Sequence, residues 1–374
     1  MRFDNFTPNV ELNNLQKSVN VKNEGVEIFS AICSGKDLTK YGAKVDQVMA
    51  YVMNLGQKAL AGDTKAQAEV NAIREVQIQA PLLKRVNIFG YMGDFQQVGY
   101  NEDIRYKVYE LQGKKSGPQA TSGSFAFPTQ TWREGSLTTS TITGGCAVDY
   151  RSVVANGNTD AIGVMNEQVV TDMLNQMFRS VVLNLYNSIG AIALAGGITA
   201  YLEAAGINQL ALNDAIRLMR RWGSVTLAGD YSAISQLETM AGFVTLAGVP
   251  NTVMYSESVM EEIRKTGLLK SYRGANVVEI PNSFNTTSIN PIGGLLGAAA
   301  YFDTYLPEGL LFAIPKGVGT SPLQVGLRGG VTSMSGVDLA TKQNITRFDV
   351  EFGSIVVPEL VPMLGLISDS NFPV

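Results

Sequence analysis

The chain has 374 residues, more than one hydrophobic core usually organises, so two or three substructures are expected. Apolar residues make up 45% but charged residues only 17%, and a low charge fraction in a long chain points to surface withdrawn into subunit interfaces. A net charge of −4 excludes the basic excess of a protein that grips nucleic acid, and the absence of histidine excludes Ser-His-Asp and Cys-His catalysis, histidine-bearing zinc sites and imidazole acid–base chemistry together.

The N-terminus, Met1-Arg2-Phe3-Asp4-Asn5, lacks the basic-then-apolar pattern of a signal peptide, and none is expected. Residues 1–40 are polar, with Phe3, Phe6, Val10, Leu12 and Leu15 as scattered apolar anchors, and read as an extended arm laid on something else. Cys33 and Cys146 have neither zinc-ligand spacing nor a disulfide framework around them. They read as reduced, buried small residues, with an intersubunit disulfide as the sharper alternative.

Val45, Val48, Met49, Val52 and Met53 recur at helical spacing and predict a helix over 43–60. Gly62-Asp63-Thr64 breaks and caps, and a second helix is expected from Lys65 to Val76, ended by Pro81. The apolar run from Leu82 to Phe95 reads as strand and turn. Over 99–145 the pattern alternates: Ile104, Tyr106 and Val108 against Arg105, Lys107 and Tyr109, then a turn-rich tip at Gly113-Lys114-Lys115-Ser116-Gly117-Pro118. The return runs through Phe125, Phe127, Trp132 and Leu137 into the threonine-rich Thr138 to Thr143. This predicts one long β-hairpin of about ten residues a side, roughly 33 Å, which needs a neighbour to be stable.

Residues 159–189 carry the strongest periodicity. Ile162, Met165, Val169, Met173, Met177, Val181, Leu185 and Ile189 form one stripe, widened by Val170, Leu174, Phe178, Val182 and Tyr186. The helix is expected to span about 45 Å between a Thr159 cap and a Gly190 stop. The methionines on it read as core filling rather than a binding surface. No stretch approaches the ~20 consecutive apolar residues needed to span a bilayer.

From Leu210 the texture becomes α/β. Helices are expected over Leu212–Trp222, Tyr231–Met240 and from the Ser256 cap to Lys265. Strands are expected at 225–227, 252–255, 275–280 and 310–314, the last closed by Pro315. Residues 332–342 read as polar connection, Asn344 to Val357 as a strand, and Val361 to Ile367 as a further apolar segment.

The order of parts is flexible arm, long hairpin, long amphipathic helix, compact α/β domain and closing strands. Two phrases add to it: Arg347-Phe348-Asp349-Val350-Glu351-Phe352-Gly353 leading to Pro358-Glu359, and Leu306-Pro307-Glu308-Gly309 into Phe312-Ala313-Ile314-Pro315-Lys316-Gly317. Over about residues 80–374 this resembles the major capsid proteins of tailed bacteriophages, the Hong Kong 97-like fold. The resemblance implies an α+β fold. Residues 1–80 would be an N-terminal arm with helices and 81–98 the start of a peripheral domain. Residues 99–147 would be the extended β-hairpin loop and 148–207 the peripheral domain with its spine helix. Residues 208–325 would be the axial domain, and 326–374 the closing strands of the peripheral domain.

The implied function is a shell subunit. It would assemble into hexamers and pentamers that enclose double-stranded DNA in an icosahedral head, in the virion, after assembly in the host bacterial cytoplasm. Portal and scaffolding proteins, non-specific contact with packaged DNA and a decoration protein are the implied partners; scaffolding is expected as a separate protein. The alternative on the same fold is an encapsulin-like nanocompartment around a cargo enzyme.

No catalytic, cofactor or metal site is expected. Ser34-Gly35-Lys36 and Gly113-Lys114-Lys115-Ser116 lack the upstream glycine of a phosphate loop and read as solvated turns, and Gly317 and Gly319 lack the third glycine of a dinucleotide fingerprint. Some capsids of this type join a loop lysine to an asparagine of another subunit, helped by a carboxylate. On that resemblance Lys114, Lys115, Asn344 and Glu351 are candidates, beside the plainer reading of Lys114 and Lys115 as solvated tip residues. Arg217, Arg220 and Arg221 end one helix beside Trp222. They read as dipole and intersubunit partners, or as a DNA contact.

Overall fold

A computed structural model gives the fold. It describes residues 28, 39–42, 44–68, 78, 82–83, 85–109, 131–148, 159–194, 200–240, 243–244, 253–254, 259, 261, 263, 265, 268–284, 304–316, 320–338 and 343–372. Helix α1 (Lys44–Leu60) follows the predicted spacing, with Val48, Leu55 and Ala59 buried. Gly62, at φ +89°, ends its last turn, and Asp63 accepts from the Lys65 N–H at 2.9 Å to open the next helical segment.

Where it is described, the run from Leu82 to Met92 is helix and turn, not strand. Residues 82–83 and 85–86 are helical and α2 (Phe89–Met92) follows. The buried set Leu82, Val86, Phe89 and Met92 keeps three- to four-residue spacing, a period that a short apolar run with glycines hides. Strand β1 (Asp94–Val98) comes only after Gly93.

The hairpin forms from β2 (Ile104–Tyr109) and β3 (Trp132–Leu137), antiparallel from Ile104 opposite Leu137 to Tyr109 opposite Trp132. The threonine-rich segment is not its return arm. It is β4 (Ser140–Val148), which belongs to another sheet and pairs with β13 (Gln343–Val356), from Ser140 opposite Phe352 to Val148 opposite Asn344. Residues 332–338, expected as connection, are the second half of the sixteen-residue β12 (Leu323–Asp338). Its serines and glycines show no apolar alternation, so only the pairing reveals the strand. The sheet runs in the order β1-β12-β13-β4.

Helix α3 (Thr159–Leu194) has 36 residues, about 54 Å at 1.5 Å per residue. Gly190 does not stop it. No neighbour lies within 4 Å of where its Cβ would stand, and a mid-helix glycine costs only about 1 kcal/mol, too little by itself to end a long helix. The predicted stripe is buried: Val169, Met173, Met177, Val181, Leu185 and Ile189 are at most 5% exposed.

A six-stranded mixed sheet has the order β5-β14-β11-β6-β10-β9. Its strands are β5 (Ala200–Ala204), β6 (Ser224–Gly229), β9 (Ser271–Tyr272), β10 (Ala275–Glu279), β11 (Leu310–Lys316) and β14 (Gly365–Asp369). Helices α4 (Gln209–Met219) and α5 (Tyr231–Met240) cover it. Leu212, Ala215, Ile216, Ala233, Ile234 and Leu237 pack with Leu227, Leu311 and Ile367 into one core. A separate two-stranded pair joins β7 (Phe243–Val244) to β8 (Val253–Met254).

Two details depart from the sequence reading. Pro315 lies inside β11, opposite Val225; β14 pairs with β11 only from Leu310 to Ala313, so Pro315 sits where no third strand needs its N–H. The C-terminal strand β14 does not pair with β13. It enters the α/β sheet between β5 and β11. The chain divides into two compact units. One comprises Met1–Asn87, Ser140–Met177 and Arg328–Phe352; the other comprises Ile88–Thr139, Phe178–Leu327 and Gly353–Val374.

Candidate assembly surfaces

The hairpin has two chemically different faces. Ile104, Tyr106 and Val108 point one way. Val108 packs on Val357, Leu360 and Met363, with Tyr106 and the half-buried Trp222 against them. Gly135 lies under the Tyr106 ring, and a Cβ there would stand 2.4 Å from Tyr106 Cζ. The other face carries Lys107 opposite Glu134 and Tyr109 opposite Trp132. Lys107 Nζ is 3.8 Å from Glu134 Oε1 and 4.4 Å from the centre of the Trp132 ring. Trp132 is nonetheless 51% exposed and Tyr109 39% exposed, an aromatic pair that a folded monomer leaves in water.

The hairpin base is pinned by Arg133, whose guanidinium donates to Glu359, and by Thr320, whose hydroxyl donates to the Lys107 carbonyl. A hydrogen bond from its own backbone N–H, joined by Arg133, holds the Glu359 carboxyl below the usual carboxylate range despite some desolvation. Arg133 and Glu359 are 226 residues apart, so no local pattern announces the pair. Lys114 and Lys115 lie outside the described residues.

Asn344 and Glu351 share β13 but are not brought together. They are seven residues apart in an unbroken register, which puts them on opposite faces and about 23 Å from each other. Glu351 is 3.8 Å from Arg328, a half-buried partner that the sequence reading missed. Two residues along, Asp349 accepts from Thr143 Oγ1 at 2.7 Å and from Arg347 Nε at 2.8 Å.

The three arginines at the C-terminal end of α4 have separate surroundings. Arg217 donates to Asp214 at 3.2 Å, on an exposed face. Arg220 caps the helix and lies against the tight turn between β9 and β10, where Arg273 (φ +47°) and Gly274 (φ +76°) both adopt positive φ. A Cβ on Gly274 would stand 2.4 Å from Arg220 Nη2, so glycine serves both the turn and the arginine. Arg221 is exposed.

Two buried carboxylates organise the α/β unit. Asp230, 5% exposed, caps α5 by accepting from the Ala233 N–H at 3.3 Å and also accepts from the Gly309 N–H at 3.2 Å. Burial nevertheless raises its pKa. Glu279 is raised too, by desolvation and then by the charge of Asp230. Asp369, 1% exposed, accepts from the Gly206 N–H at 2.7 Å, the Asn371 N–H at 3.0 Å and Gln236 Nε2 at 2.8 Å. Burial pushes its carboxyl up, but these donors outweigh it and leave the pKa below the usual range. Among the described residues no helix is long and apolar enough to cross a membrane.

The model of the family described as "SPbeta prophage-derived putative capsid protein YonB" matches residues 11–368. The chain belongs to this family. The resemblance to phage capsid proteins is thereby met by a phage capsid family that spans nearly the whole chain. Solved structures similar to it include Microbacterium phage Oxtober96, at 15% identity over 73% of this chain and 88% of that one, with a TM-score of 0.46. Gordonia phage Cozz is similar at 14% identity over 75% and 85%, with a TM-score of 0.44. The asymmetric unit of the bacteriophage PhiM1 mature capsid is similar at 11% identity over 76% and 87%, with a TM-score of 0.40. No curated protein matches the sequence. As a member of a phage capsid family the chain has a structural, virion role, and the exposed Trp132 and Tyr109 become candidates for contact between copies.

Proposed function

We propose that this chain is the major capsid protein of a phage head, assembling into hexamers and pentamers that close an icosahedral shell around double-stranded DNA. The observation that carries the reading is the capsid-family match over residues 11–368. In the Hong Kong 97-like scheme the six-stranded α/β sheet serves as the axial domain, α3 as the spine and the β2–β3 hairpin as the extended loop. Residues 1–80 act as the arm. Because β14 sits in the six-stranded sheet, the axial domain also takes in the C-terminus.

The hairpin and arm reach onto neighbours, so each subunit is held at several places, and weak pairwise contacts become collectively stable. Assembly takes place in the host cytoplasm with scaffolding and portal proteins, and a decoration protein is a further partner. Arg217, Arg220 and Arg221 contribute to intersubunit pairs or to non-specific contact with packaged DNA, which would weaken with salt. Lys114, Lys115, Asn344 and Glu351 remain candidates for covalent joining of neighbours. Denaturing electrophoresis of assembled shells tests this, and a single band at monomer mass excludes it.

The deciding experiment is electron microscopy of the purified chain beside size-exclusion chromatography, with and without the scaffolding protein. Closed shells or capsomer-sized rings support the reading. A monomer that stays a monomer at high concentration with scaffold present overturns it.

A further inference from the structure

We infer that the outer edge of β4 from Ser140 to Gly145 is an intersubunit pairing site, occupied in the shell by the same edge of a second copy running antiparallel to it. The inference rests on the self-assembly reading above and names the surface that it uses.

Among the described residues the two larger sheets end in four edges, β1, β4, β5 and β9. Proteins blunt such edges because unpaired N–H and C=O groups template further pairing, and they do so with short strands, charges, prolines or bulges. β9 has two residues, β5 carries Glu203 and β1 begins at Asp94. β4 has none of these devices. It is nine residues long, Ser-Thr-Ile-Thr-Gly-Gly-Cys-Ala-Val, without charge or proline, and its register with β13 runs unbroken from Ser140 to Val148. Among the described residues no strand lies on its far side. In an antiparallel ladder alternate residues turn both backbone groups toward the partner and the residues between turn both away. About half of the groups from Ser140 to Gly145 therefore face outward.

The side chains favour a second copy as the occupant. Ile142 and Gly144 are half-buried on one face, where a Cβ on Gly144 would stand 2.9 Å from Val169 Cγ1 and 3.0 Å from Met173 Cγ of α3. Thr141, Thr143 and Gly145 are exposed on the other. A two-fold axis perpendicular to the sheet at Ile142 sets Thr141 opposite Thr143 of the partner subunit. It continues the sheet with both copies of α3 on the same side. Such a contact is self-complementary, as a two-fold interface must be. Threonine pairs across strands are favourable, and no charge meets a like charge. A charged peptide would find no complementary charge on β4. The carboxylates on the neighbouring β13 already have partners: Asp349 with Arg347, and Glu351 with Arg328.

The test uses the full chain in the assembly reaction. Of the neighbours Ser140 and Thr141, one turns its N–H toward β13 and the other turns it outward. Ser140→Pro and Thr141→Pro are made separately. The one that breaks the β13 ladder lowers the unfolding midpoint. The one that keeps the midpoint is expected to cut shell yield at least tenfold. Independently, shells of the double variant Thr141→Cys with Thr143→Cys are expected to give a dimer band on non-reducing gels that each single variant lacks. Unaltered shell yield from the stable proline variant, or no dimer band from shells of the double variant, overturns the inference while the capsid reading stands. No particles from the unaltered chain, with scaffold supplied, overturns the capsid reading and this inference with it.

Discussion

Replacing Asp369 by Asn changes one atom and should unsettle a whole corner of the α/β unit. Oδ1 of Asp369 accepts from the Gly206 and Asn371 N–H groups, and an asparagine oxygen could keep both. Oδ2 accepts from Gln236 Nε2. The Gln236 amide cannot flip to receive a new donor. Its Oε1 accepts from the Ile207 N–H at 2.8 Å, and its Nε2 also donates to the Ser232 carbonyl at 3.1 Å. The variant therefore sets two NH₂ groups face to face in a buried site and removes the charge that strengthened the other bonds. A hydrogen bond to a charged group contributes about 1.5–3 kcal/mol, so a loss of about 2–3 kcal/mol is expected at pH 7. Urea unfolding followed by tryptophan fluorescence reads it, since the chain has 2 tryptophans and both, Trp132 and Trp222, lie in the same unit as Asp369. The pH dependence has a definite sign. The folded pKa is depressed, so the carboxylate's contribution is full above the unfolded value of about 3.9 and disappears as pH falls through the folded value. The gap between wild type and variant should hold steady from pH 5 to 8 and close below about pH 4. Equal midpoints at pH 7, or a gap unchanged at pH 3, would refute the reasoning.

Asp230→Asn should behave in the opposite way: burial raises the native pKa, so wild type gives up stability as pH rises above about 3.9, and the variant, still able to accept from Ala233 and Gly309, should be at least as stable at neutral pH. Stability lower by about 1 kcal/mol or more at pH 7 would count against that account of the capping site. Gly144→Val overpacks the contact with Val169 and Met173 and should cost about 1–3 kcal/mol, seen as a lower thermal midpoint; an unchanged midpoint would mean that α3 yields more easily than its packing suggests. Trp132→Ala removes a 51% exposed ring, so circular dichroism and thermal unfolding should hardly change while shell yield drops severalfold. Unaltered assembly would remove the hairpin's outer face from the contact between copies.

Much of this protein was legible in the linear order of its residues, wherever a feature depends on neighbours along the chain. The stripe on α3, the alternation in β2, the helix from Tyr231 to Met240 and the buried run of β11 all follow from local period and burial, and the structure shows them nearly at the predicted bounds. The resemblance to phage capsids also came from that order. Pairing did not. Thr138 to Thr143 reads equally well as the arm of a hairpin or as the edge of another sheet, and only β13, some two hundred residues later, decides between them. The same holds for β12, for the entry of β14 into the α/β sheet, and for the ion pairs Arg133–Glu359 and Arg328–Glu351. A sequence records the period of a strand, because side chains alternate whatever the partner is. It does not record which backbone will satisfy the strand's N–H and C=O groups, because every backbone offers the same ones. That choice belongs to the tertiary structure, where packing of α3 under Gly144 and burial of Asp369 leave one arrangement favourable.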